Sequence, residues 1–210
     1  KGLLHTGQIF VGKLGLQNFT IEAWVYFTDN SEISNRGGLW QLNTSGNGPN
    51  ASSTYRIAVG VYQASGTGHW LMYAGNTSNT LVEHDSGVDF NVGQWQHVAQ
   101  VRSSGTTKLY VDGTEILSVS DSCDYTNVSG IIGGYYNNLY LLDDAYLSNF
   151  RVMTKALYTS NFTPPTTKLN PGTRETNARF LTCFNTSGTI TDAANNYTIT
   201  PNGDPTPGST

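Results

Sequence analysis

Charge is what this sequence has least of. Only 12% of its 210 residues are Asp, Glu, Lys or Arg, about half the roughly 25% of an average soluble domain. The 15 acidic and 11 basic side chains leave a formal charge of −4. So few opposed charges cannot lace helix surfaces with ion pairs, which argues against a helical bundle. So few basic residues cannot build the positive patch that nucleic acid demands, and no nucleic-acid partner is expected. Long apolar runs are missing as well. Nothing approaches the roughly 18–20 residues of a membrane span, so no membrane insertion is expected. The two cysteines, Cys123 and Cys183, are too few for a disulfide framework, and they either form one bridge or stand as two thiols. No signal-peptide pattern opens the chain, and its first residue is Lys1, which reads as a processed or excised segment.

What is present points to strands and turns. The 37% hydrophobic content is low, but 4 Trp, 12 Tyr and 8 Phe can each bury a large area. The 23 Gly and 7 Pro supply turns. Residues 19–27, 38–42, 55–62, 69–73 and 80–84 are β-branched or aromatic runs with period-2 alternation, separated by Asn, Ser and Gly clusters, and they predict strands. Residues 95–102, 108–111 and 114–119 follow with a Ser103-Ser104-Gly105-Thr106 turn and an Asp112-Gly113 turn between them. Asp-Gly is a strong type I′ hairpin signal, so this stretch predicts a three-stranded antiparallel meander. Further strands are expected at 130–135 and 145–152, a short helical turn at 154–158, and strands at 178–184 and 197–200 around a turn at 191–196. The fold class is all-β, an antiparallel sandwich or jelly roll.

Five segments then resemble one family as an ordered set. They are Phe19-Thr20-Ile21-Glu22-Ala23-Trp24-Val25, Gly93-Gln94-Trp95-Gln96-His97-Val98-Ala99, Leu109-Tyr110-Val111-Asp112-Gly113, Ile132-Gly133-Gly134 and Leu147-Ser148-Asn149-Phe150-Arg151-Val152. Together they resemble the laminin G-like, concanavalin A-like jelly roll over about residues 8–152. The continuation, Ala156-Leu157-Tyr158-Thr159-Ser160-Asn161-Phe162-Thr163-Pro164-Pro165 with Leu181-Thr182-Cys183 and Tyr197-Thr198-Ile199-Thr200-Pro201-Asn202-Gly203-Asp204, resembles a segment recurring in structural proteins of tailed bacteriophages, especially marine ones. Two departures stand out. The usual opening strand is poorly visible before Gln8, and Cys123, in Asp121-Ser122-Cys123-Asp124, lies outside the pattern. The resulting organisation is a jelly roll over 1–165, a segment over 166–200 that completes or packs on it, and a tail or linker over 201–210.

The resemblance sets the chemistry to look for. Hydrolases on this fold carry Glu-x-Asp-x-x-Glu, whose carboxylates share a strand face. The nearest match is Glu83-His84-Asp85-Ser86-Gly87-Val88, with Val in place of the second Glu, so no enzyme is expected. No nucleophile elbow, zincin pair or phosphate loop occurs, and His5, His69, His84 and His97 are scattered. The resemblance implies calcium in rim loops, for which Asp143 and Asp144, with Asp121 and Asp124, are the candidate oxygen ligands. Sugar binding needs an aromatic face beside planar hydrogen-bonding groups. Trp24 and Trp95 belong to the fold pattern and are expected in the core. Trp40 and Trp70 remain as contact candidates, with the run Tyr135, Tyr136, Asn137, Asn138 and Tyr140.

The expected function is a non-enzymatic module on a tailed-phage virion surface, in tail, fibre or capsid decoration. It would serve host-surface glycan attachment or assembly with other virion proteins, as a homo-oligomer or in many copies. The alternative is an extracellular, calcium-dependent laminin G-like adhesion or lectin domain of a cellular organism. Scarce charge leaves strand edges without their usual guards, which favours assembly.

Overall fold

The computed structural model describes residues 5–6, 9–12, 14–29, 36–43, 56–64, 67–75, 81–125, 128–135, 140–142, 145–167, 178–184, 190–192 and 201–202. The elements among them begin with β1 (His5–Thr6), β2 (Ile9–Gly12), β3 (Phe19–Phe27), β4 (Arg36–Asn43), β5 (Arg56–Ala64) and β6 (Thr67–Gly75). Next come β7 (Leu81–Asp89), β8 (Trp95–Ser103), β9 (Thr106–Val111), β10 (Thr114–Ser120), β11 (Val128–Ile132) and β12 (Gly134–Tyr135). The last are β13 (Tyr140–Leu141), β14 (Ala145–Met153), β15 (Ala178–Phe184), β16 (Ile190–Asp192) and β17 (Pro201–Asn202).

These strands form a two-sheet, largely antiparallel sandwich. The larger, eight-stranded sheet runs β17-β1-β11-β4-β5-β6-β7, with β2 also paired to β11. The smaller, seven-stranded sheet runs β10-β9-β8-β3-β14-β15-β16. Alternation in β3 shows why the layers close. Phe19, Ile21, Ala23, Val25 and Phe27 all point inward and are fully buried, while Thr20, Glu22, Trp24 and Tyr26 occupy the other face. Val59, Val61, Trp70 and Met72 meet them from the larger sheet. Ring contacts lock the layers, with Phe27 5.9 Å from Trp70 and Trp40 5.7 Å from Phe150. The indole N–H of Trp40 donates to Gln100 Oε1 at 3.2 Å, which satisfies its polar tip inside the core.

The meander forms as its turns predict. Asp112 and Gly113 have φ of 49° and 77°, the pair of positive angles that a two-residue type I′ turn requires. Ser104 and Gly105, at 49° and 76°, close the hairpin before it.

Four expectations change. Residues 154–158 are not helical; they begin an extended strap. Residues 190–192 form β16 against β15 where a turn over 191–196 was expected, and 197–200 lie outside the described residues. The expected tail begins as a strand, since β17 pairs with β1. The exposed edge β7 is also guarded after all. It carries Glu83, Asp85 and Asp89 and a bulge at 86–88, where Gly87 has φ 63°. Carboxylates and a bulge are standard protection for an edge strand.

Candidate functional site

The outer face of the smaller sheet is ordered by register into rows. Successive rows across β14, β3 and β8 are Met153–Thr20–Val101, Arg151–Glu22–Ala99, Ser148–Trp24–His97 and Tyr146–Tyr26–Trp95. A bulge in β14 between Ser148 and Arg151 makes this possible. Asn149 there takes φ 53°, and the extra residue lets Tyr146 and Arg151, an odd number of positions apart, face the same way.

Residues 154–165 strap one half of this face. Ala156, Tyr158 and Phe162 pack over Ala99, Val101 and Tyr110. Tyr158 and Phe162 stack at 3.6 Å with planes 4° apart, and the His97 ring meets Phe162 edge-on at 5.7 Å. Backbone bonds pin the strap. Leu157 N–H donates to Thr20 Oγ1 at 2.9 Å, Thr20 Oγ1 donates to the Lys155 carbonyl at 2.8 Å, and Phe162 N–H donates to the Gly113 carbonyl at 2.9 Å.

Beneath the strap lies a buried polar group centred on Glu22. Arg151 Nε donates to Glu22 Oε1 at 2.6 Å, and Arg151 also pairs with the same oxygen through its terminal nitrogen. His97 Nε2 lies 3.1 Å from Oε2, and the Tyr158 hydroxyl donates to that oxygen at 2.8 Å. Burial pushes the Glu22 carboxyl up, but the His97 hydrogen bond, the Arg151 charge and the Tyr158 hydrogen bond outweigh it and hold the carboxyl below its ordinary value. Burial and the Glu22 charge push the Tyr158 phenol up. Glu22 and His97 are almost fully buried, so the group holds the strap and does not meet solvent.

The other half of the face is open. Tyr146, Tyr26 and Trp95 stand side by side, with ring centroids 6.3 Å apart on one side of Tyr26 and 5.6 Å on the other. Trp95 is 46% exposed and Tyr146 42%, with Tyr26 and Trp24 half-buried. Val92, also exposed, sits in the adjoining loop, bridged to Phe27. Exposed aromatic clusters of this kind mark interaction surfaces.

This reverses the tryptophan expectations. Trp40 and Trp70 are fully buried and cannot contact a ligand, because both point between the sheets. Trp95, expected in the core, is exposed, and Trp24 is half-buried against His97 at 5.3 Å. The missed signal was parity, since Trp24 shares its strand face with Glu22 and Trp95 shares its face with His97. Of the aromatic-amide run, Tyr135 and Tyr140 pair across the β12–β13 hairpin. Tyr136, Asn137 and Asn138 lie outside the described residues, as do Asp143 and Asp144.

Asp121 does not fit a calcium site. Its Oδ2 accepts from Thr107 Oγ1 at 2.6 Å and from the Tyr125 hydroxyl at 2.9 Å, and its Oδ1 accepts from Cys123 N–H at 3.1 Å. Both oxygens are thus used to close the sandwich end. Among the described residues no group of three His, Cys, Asp or Glu is placed to hold a metal. Cys123 is buried, and burial pushes its thiol up to about 11. The side chain of Cys183 lies outside the described residues.

The Glu-x-Asp element falls on the outer face of the larger sheet. Glu83 lies opposite Tyr73, Asp85 opposite Leu71 and Asp89 opposite His69. The Tyr73 hydroxyl donates to Glu83, and Asp85 Oδ1 accepts Gly87 N–H at 2.8 Å and lies 3.1 Å from His69 Nδ1. Val88, at the position of the missing glutamate, is exposed on the bulge.

Sandwich topology and the ordered segments together define a concanavalin A-like domain. A laminin G-type family model of the concanavalin A-like lectin/glucanases superfamily matches residues 6–161, and the chain belongs to that superfamily. No curated protein matches the chain. Among solved structures it is similar to a Bacteroides ovatus protein described as carbohydrate-binding, at 16% identity and TM-score 0.66 over 95% of this chain and 56% of that one. It is also similar to Trypanosoma rangeli sialidase, at 13% identity and TM-score 0.54 over 75% of this chain and 25% of that one. The chain therefore spans about half and a quarter of those two proteins, and the likeness is one of fold.

Proposed function

We propose that this domain is a non-catalytic carbohydrate-binding module, and that its contact surface is the open row Tyr146–Tyr26–Trp95. The carrying observation is that three aromatic side chains stand adjacent and uncovered on a face whose other half is sealed. A pyranose has an apolar face that stacks on such rings. Membership of a lectin and glucanase superfamily and the likeness to a protein described as carbohydrate-binding support the reading. The engagement of Glu83 by Tyr73 and the valine at position 88 support binding over hydrolysis. The test is a glycan array probed with the intact chain. Binding that disappears in Trp95→Ala supports the reading, and absence of binding to every glycan removes it.

The display site belongs to the same proposal. The resemblance of residues 156–165 to phage structural proteins supports a virion surface, where many copies would multiply weak single-site binding. Mass spectrometry of purified particles tests this, and absence of the chain from them ends the virion reading. Calcium at Asp143 and Asp144 is tested by titration calorimetry, where a flat trace removes it.

A further inference from the structure

The geometry of the open row also selects the kind of glycan, an inference that rests on the carbohydrate-binding reading. The plane of Tyr26 is tilted by 57° from Trp95 and by 53° from Tyr146. Three rings so tilted cannot lie in one plane. A flat crystalline polysaccharide surface would rest on one ring and miss the other two. A single chain whose successive sugars rotate about its axis can offer an apolar face to each ring in turn. The centroid spacings of 5.6 and 6.3 Å are on the scale of one sugar unit.

Charge narrows the class further. The row itself is uncharged, and Trp24 and Ser148 in the next row are uncharged too. Among the described residues the basic groups on this face lie away from the row: Arg151 is buried on Glu22, His97 is buried between Glu22 and the strap, Lys108 at the covered Val101 end pairs with Glu115 at 2.7 Å, and Lys155 sits on the strap at the Thr20 end. A uronate, sulfate or sialate would therefore meet the negative π faces of the rings with no cation of the described residues beside them. Because the row crosses β8, β3 and β14, a bound chain runs across the strands. We infer that Tyr146, Tyr26 and Trp95 form a subsite for a single, soluble, uncharged glycan chain, and that the subsite discriminates against anionic and crystalline polysaccharides.

The experiment is affinity electrophoresis of the intact chain in soluble neutral β-glucan, xyloglucan, alginate and polygalacturonate, with pull-down on microcrystalline cellulose and chitin. The expected result is retardation by a neutral polymer, unchanged between roughly 0.05 and 0.5 M salt, with little pull-down. Trp95→Ala weakens it by at least about ten-fold, while circular dichroism and a melting midpoint well above the assay temperature show that the variant is still folded. Stronger, salt-sensitive binding to alginate or polygalacturonate overturns the inference and leaves the carbohydrate-binding reading standing. So does pull-down on crystalline polymer that matches the soluble one. Unchanged affinity in Trp95→Ala overturns the location. No retention by any glycan removes both readings, and a concentration-dependent dimer lost in Trp95→Ala then assigns the row to a second copy of this chain.

Discussion

At the Thr20 end, the outer face of the smaller sheet lies under residues 154–165; at the Tyr26 end it meets solvent. Both ends draw on outward positions of β3, β8 and β14, and both carry large side chains there. The covered end joins Glu22, Arg151, His97 and Tyr158 into one hydrogen-bonded group beneath stacked rings, with both Glu22 oxygens engaged. The open end has rings alone. An outward aromatic is thus structural or available according to what crosses it, and the strap draws that line within a single sheet face. Closing polar groups under cover and leaving neutral rings outside is what a rigid recognition surface needs.

The largest effect should come from breaking the covered half. Glu22→Ala leaves the buried Arg151 guanidinium without its carboxylate, which costs about 3–5 kcal/mol. Urea unfolding of the intact chain should show a much lower midpoint. Glu22→Gln separates charge from shape. The folded carboxyl sits below its ordinary value, so its contribution is present above the unfolded carboxyl range and is lost as pH falls through the folded value. The parent should lose this stability in acid, and the part of the slope due to Glu22 should vanish in Glu22→Gln. An identical acid slope in both would mean that other carboxyls set it.

Tyr158→Phe is a milder cut. It removes one hydroxyl bond to a charged group, worth about 1.5–3 kcal/mol, and keeps the stack on Phe162. Gly113→Ala acts on the strap's anchor. A Cβ there would run into the Phe162 carbonyl, and φ of 77° disfavours any side chain. A loss of about 1–3 kcal/mol is expected, with faster proteolysis within 154–165 as the covered half opens. Unchanged cleavage would show that the strap does not depend on this turn.

How much of this was legible in the sequence follows from parity. Strict alternation makes β3, β8 and the meander readable, and Glu22, His97 and Arg151 all fall within the one ordered family pattern, although only the fold brings them together. The strap was not readable as cover. Ala156, Tyr158 and Phe162 lack a strand's period, and their burial depends on a sheet face assembled from distant segments. Trp40 was unreadable because the register of β4 shifts between Gly38 and Trp40, so Leu39 and Trp40 both reach the core. Trp70 was unreadable for another reason. Both faces of β6 are apolar, with Met72 and Ala74 on one side and Leu71 and Tyr73 on the other, so alternation there carries no sign. Trp24 and Trp95 were the opposite case, where parity with Glu22 and His97 did carry the sign and the family pattern overrode it.

The smallest effect on stability should fall on the open half. Trp95 is 46% exposed and touches Tyr26 at 5.6 Å without any buried polar partner. Trp95→Ala should therefore cost about 0.5–1.5 kcal/mol for the lost aromatic pair, beyond the area that the half-covered ring buries, and less in all than Glu22→Ala. The same substitution should abolish or strongly weaken glycan retention. Glu22→Ala predicts the reverse ranking, since its folded fraction should retain the row's affinity when binding is measured well below the unfolding midpoint. If Trp95→Ala instead destabilises as much as Glu22→Ala, the open row is part of the packing and the distinction between the two halves fails.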